Sequence, residues 1–225
     1  LLLNSSIPLR VIFILIYVLI KHPNNLPLNT IYMNSTLPLE NPKNYDLLLK
    51  KSSEIGFTMP SDIYVGCLLK TLVASKPNSR ILEIGTGIGL SLSWMVEGLD
   101  QKSKLISIDN DLFLINIVKA FFKNDPRIQL ICKEAGTWLK NYSGGLFDLV
   151  FADSWPGKYS EIDHVLSLIK VGGFYVIDDM IPQKNWPEGH HGNVKKLITQ
   201  LEARKDFTIT KMEWSTGIIL MTKRN

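Results

Sequence analysis

From about residue 43 to the end, the apolar positions of the chain switch repeatedly between a strand-like and a helix-like pattern. Short apolar runs at Arg80–Ile84, Leu105–Ile108, Ile128–Ile131, Phe147–Phe151 and Phe174–Ile177 have the length of strands buried on both faces. Between them the spacing is helical. Ile162, Val165, Leu166 and Ile169 form one stripe, and Val194, Leu197, Ile198 and Leu201 form another. Further helices are expected over Lys43–Ile55, over Ser61–Ser75, from the glycine-rich segment through Leu99, and over Asp111–Phe122. Gly172-Gly173 reads as a turn leading into the fifth strand. The last two strands, about Phe207–Met212 and Gly217–Met221, are too close for a crossover helix and should pair antiparallel. Strands alternating with helices predict a doubly wound, mostly parallel α/β sheet of seven strands, covered on both faces and closed by an antiparallel terminal strand.

The first forty residues behave differently. Val11–Ile20 is ten consecutive apolar residues between Arg10 and Lys21. That is short of the roughly 20 residues a spanning helix needs. Its length suits a signal core, but no small-residue cleavage site follows. It reads either as a weak membrane-associating segment or as an extension without function. Residues 22–42 are rich in Pro and Asn and read as a linker. The chain starts at Leu1 rather than at methionine, which reads as a fragment or a misassigned start. The expected division is thus an extension at 1–40 and one domain at 41–225.

Composition narrows the field. Of the 225 residues, 45% are hydrophobic and 20% charged, as in an ordinary globular protein. The net charge of +4 comes from scattered pairs such as Lys50-Lys51, without a basic tract, so no nucleic-acid partner is expected. Cys67 and Cys132 form no CxxC pair and have no nearby His, which argues against zinc and for buried, reduced thiols in a cytoplasmic protein.

In an open α/β sheet, ligands bind beyond the carboxyl ends of the strands. Those ends carry Gly85, Gly87 and Gly89, then Asp109, Glu134, Asp153 and the pair Asp178-Asp179. One acid at such a place is usually a turn former or a cap. Acids at four successive strand ends after a glycine loop read as a site. In Glu83-Ile-Gly85-Thr86-Gly87-Ile-Gly89 the glycine spacing is GxGxG, not the GxGxxG of dinucleotide binders. Glu83, two residues ahead of the first glycine, would repel a pyrophosphate but suits a cationic amino-acid ligand. Asp109 ends the next strand, where it can accept both hydroxyls of a ribose.

With these residues in place, positions from about 45 to 222 resemble the class I S-adenosylmethionine-dependent methyltransferases, and within them the small catechol O-methyltransferase-like group. The resemblance implies a Rossmann-like methyltransferase fold with S-adenosyl-L-methionine as cofactor. Glu83 to Ser91 resembles the family's first motif, which implies the Ser91 hydroxyl and backbone amides for the methionine carboxylate. Asp109 matches the ribose-binding acid. Lys133-Glu134-Ala135 resembles the stretch beside adenine, and Met59-Pro-Ser61-Asp62 with Gly66 resembles the segment over the methionine end. Asp153-Ser-Trp155-Pro-Gly-Lys158-Tyr159 resembles the family's Asp-His-Trp-Lys-Asp-Arg-Tyr stretch, and Asp178-Asp179 falls where it has Asp-Asn. By that resemblance Asp153, Asp178 and Asp179 are ligands of one divalent cation, Mg²⁺ by preference, and Asp153 also borders the cofactor. Trp155 and Trp186 are candidates for packing on an aromatic acceptor with vicinal hydroxyl groups.

One departure matters for mechanism. Pro156 stands at the family's catalytic lysine position and cannot act as a base. Lys158, two residues on, is the nearest substitute, set against the plainer reading of a solvated lysine. His190 and His191, in the loop after the acidic pair, are the other candidates, set against ordinary loop histidines. Other classes fit less well. Base-flipping N-methyltransferases carry Pro-Pro-aromatic where this chain has Asp153-Ser-Trp-Pro. A nicotinamide enzyme conflicts with the glycine spacing and with Glu83. A non-catalytic cofactor-binding protein, or a metal-independent methyltransferase, stays open. Relatives are often dimers, which makes the helices before Gly56 a candidate homodimer surface.

Overall fold

The computed structural model describes residues 40–224. The N-terminal extension, with its apolar run at 11–20, lies outside the described residues. The described helices are α1 (Tyr45–Glu54), α2 (Ile63–Ala74), α3 (Leu90–Gly98), α4 (Leu112–Phe122), α5 (Ala135–Lys140), α6 (Ile162–Ser167) and α7 (His190–Glu202). The strands are β1 (Arg80–Ile84), β2 (Lys104–Asp109), β3 (Ile128–Cys132), β4 (Phe147–Ala152), β5 (Ile169–Ile177), β6 (Phe207–Met212) and β7 (Ile218–Lys223). They form one sheet in the order β3-β2-β1-β4-β5-β7-β6. Only β7 runs against its neighbours, pairing antiparallel with both β5 and β6.

Neighbouring residues of a strand face opposite sides of the sheet, so a sheet covered on both sides needs apolar residues at every step. In β1, Ile81 joins the core under α1–α4, while Leu82 and Ile84 join the core under α5–α7. The largest fully buried side chain, Trp94 of α3, fits because α2 offers Gly66 opposite it. A Cβ on Gly66 would sit 2.2 Å from the indole. Gly66, expected over the cofactor, is therefore a packing residue between two helices.

Two boundaries differ from the sequence reading. The α6 stripe ends at Ser167, and Ile169, read as its last member, already starts β5. Gly172-Gly173 is not a turn ahead of the strand but lies inside it. Phe147 pairs with Ile169 and Leu149 with Phe174, so residues of β5 bulge out, with Gly172 at φ +75°. Helix α5, which lacks a long apolar stripe, was not expected at all. The two cysteines are free as expected, but each is only partly buried. No helix among the described residues is long and apolar enough to cross a membrane.

Candidate active site

The strand order reverses between β1 and β4, and there the helices diverge and leave a crevice at the carboxyl ends of the strands. A cavity of about 810 Å³ lies at those ends, well within the range of small-molecule sites. Its floor is Gly85, Thr86, Gly87 and Asp109, one wall is the 57–62 segment, and the other holds Asp153, Asp178, Asp179 and Thr216.

The glycine loop connects β1 to α3 with Gly85, Gly87 and Gly89 all at positive φ. Gly85 has a second reason to lack a side chain: a Cβ there would lie 2.7 Å from the Asp153 carbonyl oxygen. Glu83 is fully buried beneath this loop. One of its carboxylate oxygens accepts from the Ser91 hydroxyl at 2.6 Å and the other from Ser107, which also shares a 2.5 Å hydrogen bond with Thr86. Burial pushes the Glu83 carboxyl up to about 8, against the lowering effect of the two serines. Glu83, Gly89 and Ser91 are not cavity residues. They support the loop from below, whereas the sequence reading placed Glu83 and Ser91 against the ligand itself.

Asp109 is at the surface of the cavity. One of its oxygens accepts from the Gly87 amide at 2.8 Å and the other from the Asp111 amide at 2.9 Å. These bonds fix the carboxylate at the loop while it still borders open space. Met59, at 65% exposure, lines the opposite side. Glu134 does something else. Its oxygens accept from the amides of Gly136 and Thr137 at 2.7 and 2.6 Å, which makes it the N-cap of α5. Glu134 and Ala135 do not line the cavity, and the hydrogen bonds from Thr137 and Gly136 hold the Glu134 carboxyl below its usual value.

The opposite wall is built differently. Burial and the neighbouring Asp178 raise Asp153 well above the ordinary carboxylate range. Burial and Asp179 push Asp178 up to about 6, although one Asp178 oxygen accepts from the Asp179 amide and the Thr216 hydroxyl. Asp179 sits at φ +55°, and burial raises it too. Among the described residues, no donor hydrogen-bonds to the side chains of Asp153 or Asp179.

Lys158 is not a solvated surface residue. Only 4% of it is exposed, it lies behind the cavity lining rather than in it, and its charge opposes the upward shift of all three aspartates. The turn at Gly157 accounts for this placement. Gly157 turns at φ +84° against Ile84, and its carbonyl accepts from the buried Tyr175 hydroxyl, so the chain doubles back and carries Lys158 inward.

His190 begins α7 and packs among Trp155, Tyr159 and Trp186, with Nε2 3.0 Å from the Tyr159 hydroxyl and Nδ1 buried without a partner. Burial lowers its pKa. It does not line the cavity, and His191 is exposed. Of the two tryptophans, Trp155 is 52% exposed and Trp186 partly buried against His190. Among the described residues, no three His, Cys, Asp or Glu side chains are arranged to hold a metal ion. Three mutually repelling carboxylates on one wall, two of them without a donor, have the chemistry that a hard cation takes, but their side chains would have to converge further to bind it. The sequence reading missed Thr216 and the 182–185 segment. Neither carries a motif, because both reach the site only through the way the β6–β7 turn packs.

The profile of the O-methyltransferase family matches residues 50–223. A protein of Mycobacterium ulcerans (strain Agy99) classed with the O-methyltransferases is 29% identical over 130 residues, which are 55% of this chain and 56% of that one. A catechol O-methyltransferase of Mycobacterium tuberculosis (strain ATCC 25618 / H37Rv) is 26% identical over 121 residues, 51% of this chain and 53% of that one. The chain therefore spans about half the length of the curated relatives it matches. The crystal structure of the O-methyltransferase of tomaymycin synthesis from Streptomyces achromogenes, solved with S-adenosylmethionine, superposes with a TM-score of 0.74 at 21% identity, covering 85% of this chain and 94% of that one. That likeness establishes the seven-stranded methyltransferase fold. On the strength of the family profile, this chain belongs to the O-methyltransferase family.

Proposed function

We propose that the protein transfers a methyl group from S-adenosyl-L-methionine to a hydroxyl of a small acceptor with vicinal oxygens, catechol-like in chemistry. The observation that carries this is the cavity shared by the glycine loop with Asp109 on one side and three aspartates, Asp178 buried and Asp153 and Asp179 partly so, on the other, with Lys158 buried nearby. Asp109 and the loop amides suit the ribose and the amino-acid end of the cofactor, and Met59 closes over it.

In the transfer, an acceptor oxygen attacks the sulfonium methyl carbon, the O–C bond forms as the C–S bond breaks, and S-adenosylhomocysteine leaves. The hydroxyl proton passes to Asp153 or Asp179, whose raised pKa makes each a stronger base than an exposed carboxylate. The Lys158 charge, behind the three aspartates, acts through the field it adds to that wall as negative charge develops on the acceptor oxygen. His190 keeps Tyr159 and the tryptophans in place and touches no reactant. In a finer form of this reading, Asp153, Asp178 and Asp179 hold a divalent cation, which when bound supplies a Lewis acid for the acceptor oxygens.

The experiment is transfer of labelled methyl from S-adenosylmethionine to a panel of catechols and other vicinal diols, with Mg²⁺ and with excess chelator. Transfer that requires Mg²⁺ supports the finer form. Transfer indifferent to chelator leaves Lys158 as the cation of the site. Absence of transfer to any diol overturns the acceptor class.

A further inference from the structure

The turn between β6 and β7 carries no motif, yet it touches both halves of the cavity. It is fixed rigidly to the segment after β5. Met180 and Ile181 donate their amides to Gly217 and Thr216, and the Gln183 amide group bridges the carbonyls of Ile181 and Thr216. Gly217 has no room for a side chain, since a Cβ would lie 2.5 Å from the Ile181 nitrogen. From this fixed turn two adjacent hydroxyls point to opposite sides of the site. Ser215 donates to Asp62 Oδ1 at 2.5 Å, across 153 residues of sequence, and Thr216 donates to Asp178 Oδ1. Next to them, Trp214 packs on Tyr64 with ring centroids 5.7 Å apart.

Asp62 is where the 57–62 segment ends. The same Oδ1 that accepts from Ser215 caps α2 by accepting from the Tyr64 amide at 2.8 Å. A carboxylate oxygen that caps a helix needs no second donor for stability, and Ser215 lies in the left-handed region at φ +58° while supplying one. Asp178 in turn borders the acceptor end of the cavity.

We propose that the β6–β7 turn is a clasp in which Ser215 and Thr216 act as positioning residues, tying the segment over the cofactor to the acceptor-side carboxylate so that the two ends of the cavity are set together. The proposal rests on the cofactor reading above. Ser215 itself does not line the cavity, so an effect of its hydroxyl on ligand affinity must travel through Asp62.

The test is calorimetric titration of S-adenosylhomocysteine into the unaltered chain and into Ser215→Gly, Ser215→Asn and Thr216→Val. Glycine suits the positive φ and so offsets part of the lost hydrogen bond, so Ser215→Gly should still fold to the parent structure. It is nevertheless expected to weaken binding about tenfold, the scale of losing one hydrogen bond to a charged group. Asparagine tolerates the same backbone and restores a donor, so it should recover much of the affinity. Thr216→Val should also weaken binding, and by much less when Ser215→Gly is already present, because the path is then cut. Equal affinity in Ser215→Gly and the parent overturns the clasp alone. Failure of the unaltered chain to bind at all overturns the cofactor reading, and the clasp with it.

Discussion

The two sides of the cavity handle acidic residues in opposite ways. On the glycine-loop side every carboxylate is satisfied: Glu83 by Ser91 and Ser107, Asp109 by the amides of Gly87 and Asp111. On the acceptor side Asp153 and Asp179 have no donor among the described residues, Asp178 has two, and a nearly buried lysine sits nearby. A wall whose carboxylates are already hydrogen-bonded presents a fixed surface, which suits a constant cofactor. An under-satisfied wall is held at some cost in stability and is completed by whatever binds there, which suits the step where charge changes.

The comparison can be broken most forcefully at Lys158. Lys158→Met should lower turnover by about 10²-fold or more while leaving the S-adenosylhomocysteine dissociation constant within about twofold, since the residue belongs to the reacting side. Loss of affinity with unchanged turnover would erase the distinction between the two walls. Next in size is Asp109→Ala, expected under the proposed function to weaken cofactor binding about tenfold by calorimetry, because the anchor of Gly87 and the acceptor proposed for the ribose are lost together. An unchanged constant removes Asp109 from the cofactor site.

Glu83→Gln sharpens the comparison through pH. The folded-state pKa of Glu83, about 8, lies above the ordinary value of 4.5. The folded chain therefore holds this proton more tightly than the unfolded one. Its contribution is fully present below about pH 4.5 and is lost as pH rises through about 8. Glutamine cannot ionise, so between these limits the variant should lose less stability than the parent, by on the order of a few kcal/mol in denaturant titrations. Parallel pH profiles for the two proteins would show Glu83 ionised in the fold. The smallest effect is at Glu134. Glu134→Ala should cost about 1 kcal/mol of stability as a lost N-cap and leave cofactor affinity unchanged. A weakened affinity would return Glu134 to the site.

Why some of this was legible in the sequence and some was not follows from how each feature is encoded. The GxGxG loop and the acid ending β2 are local, because backbone geometry and strand register alone bring them together, and both line the cavity. The boundary between α6 and β5 was misread because Ile169 is apolar and buried, which satisfies a helix stripe as well as a strand. Glu134 was ambiguous for a chemical reason: a carboxylate just before a helix meets free amides whether or not a ligand is near. Lys158 was named as a candidate base, but its burial was out of reach because the Gly157 turn before it is held by Tyr175 of β5 through the Gly157 carbonyl. Ser215 and Thr216 were invisible for the same kind of reason, since their partners lie 153 and 38 residues away.

The central claim is that this cavity takes S-adenosylmethionine and uses it. Calorimetric titration of S-adenosylmethionine and S-adenosylhomocysteine into the purified chain tests it most directly. The account predicts one site per chain with a dissociation constant on the order of micromolar, a free energy of about −8 kcal/mol. Neither compound binding at millimolar concentration would contradict it.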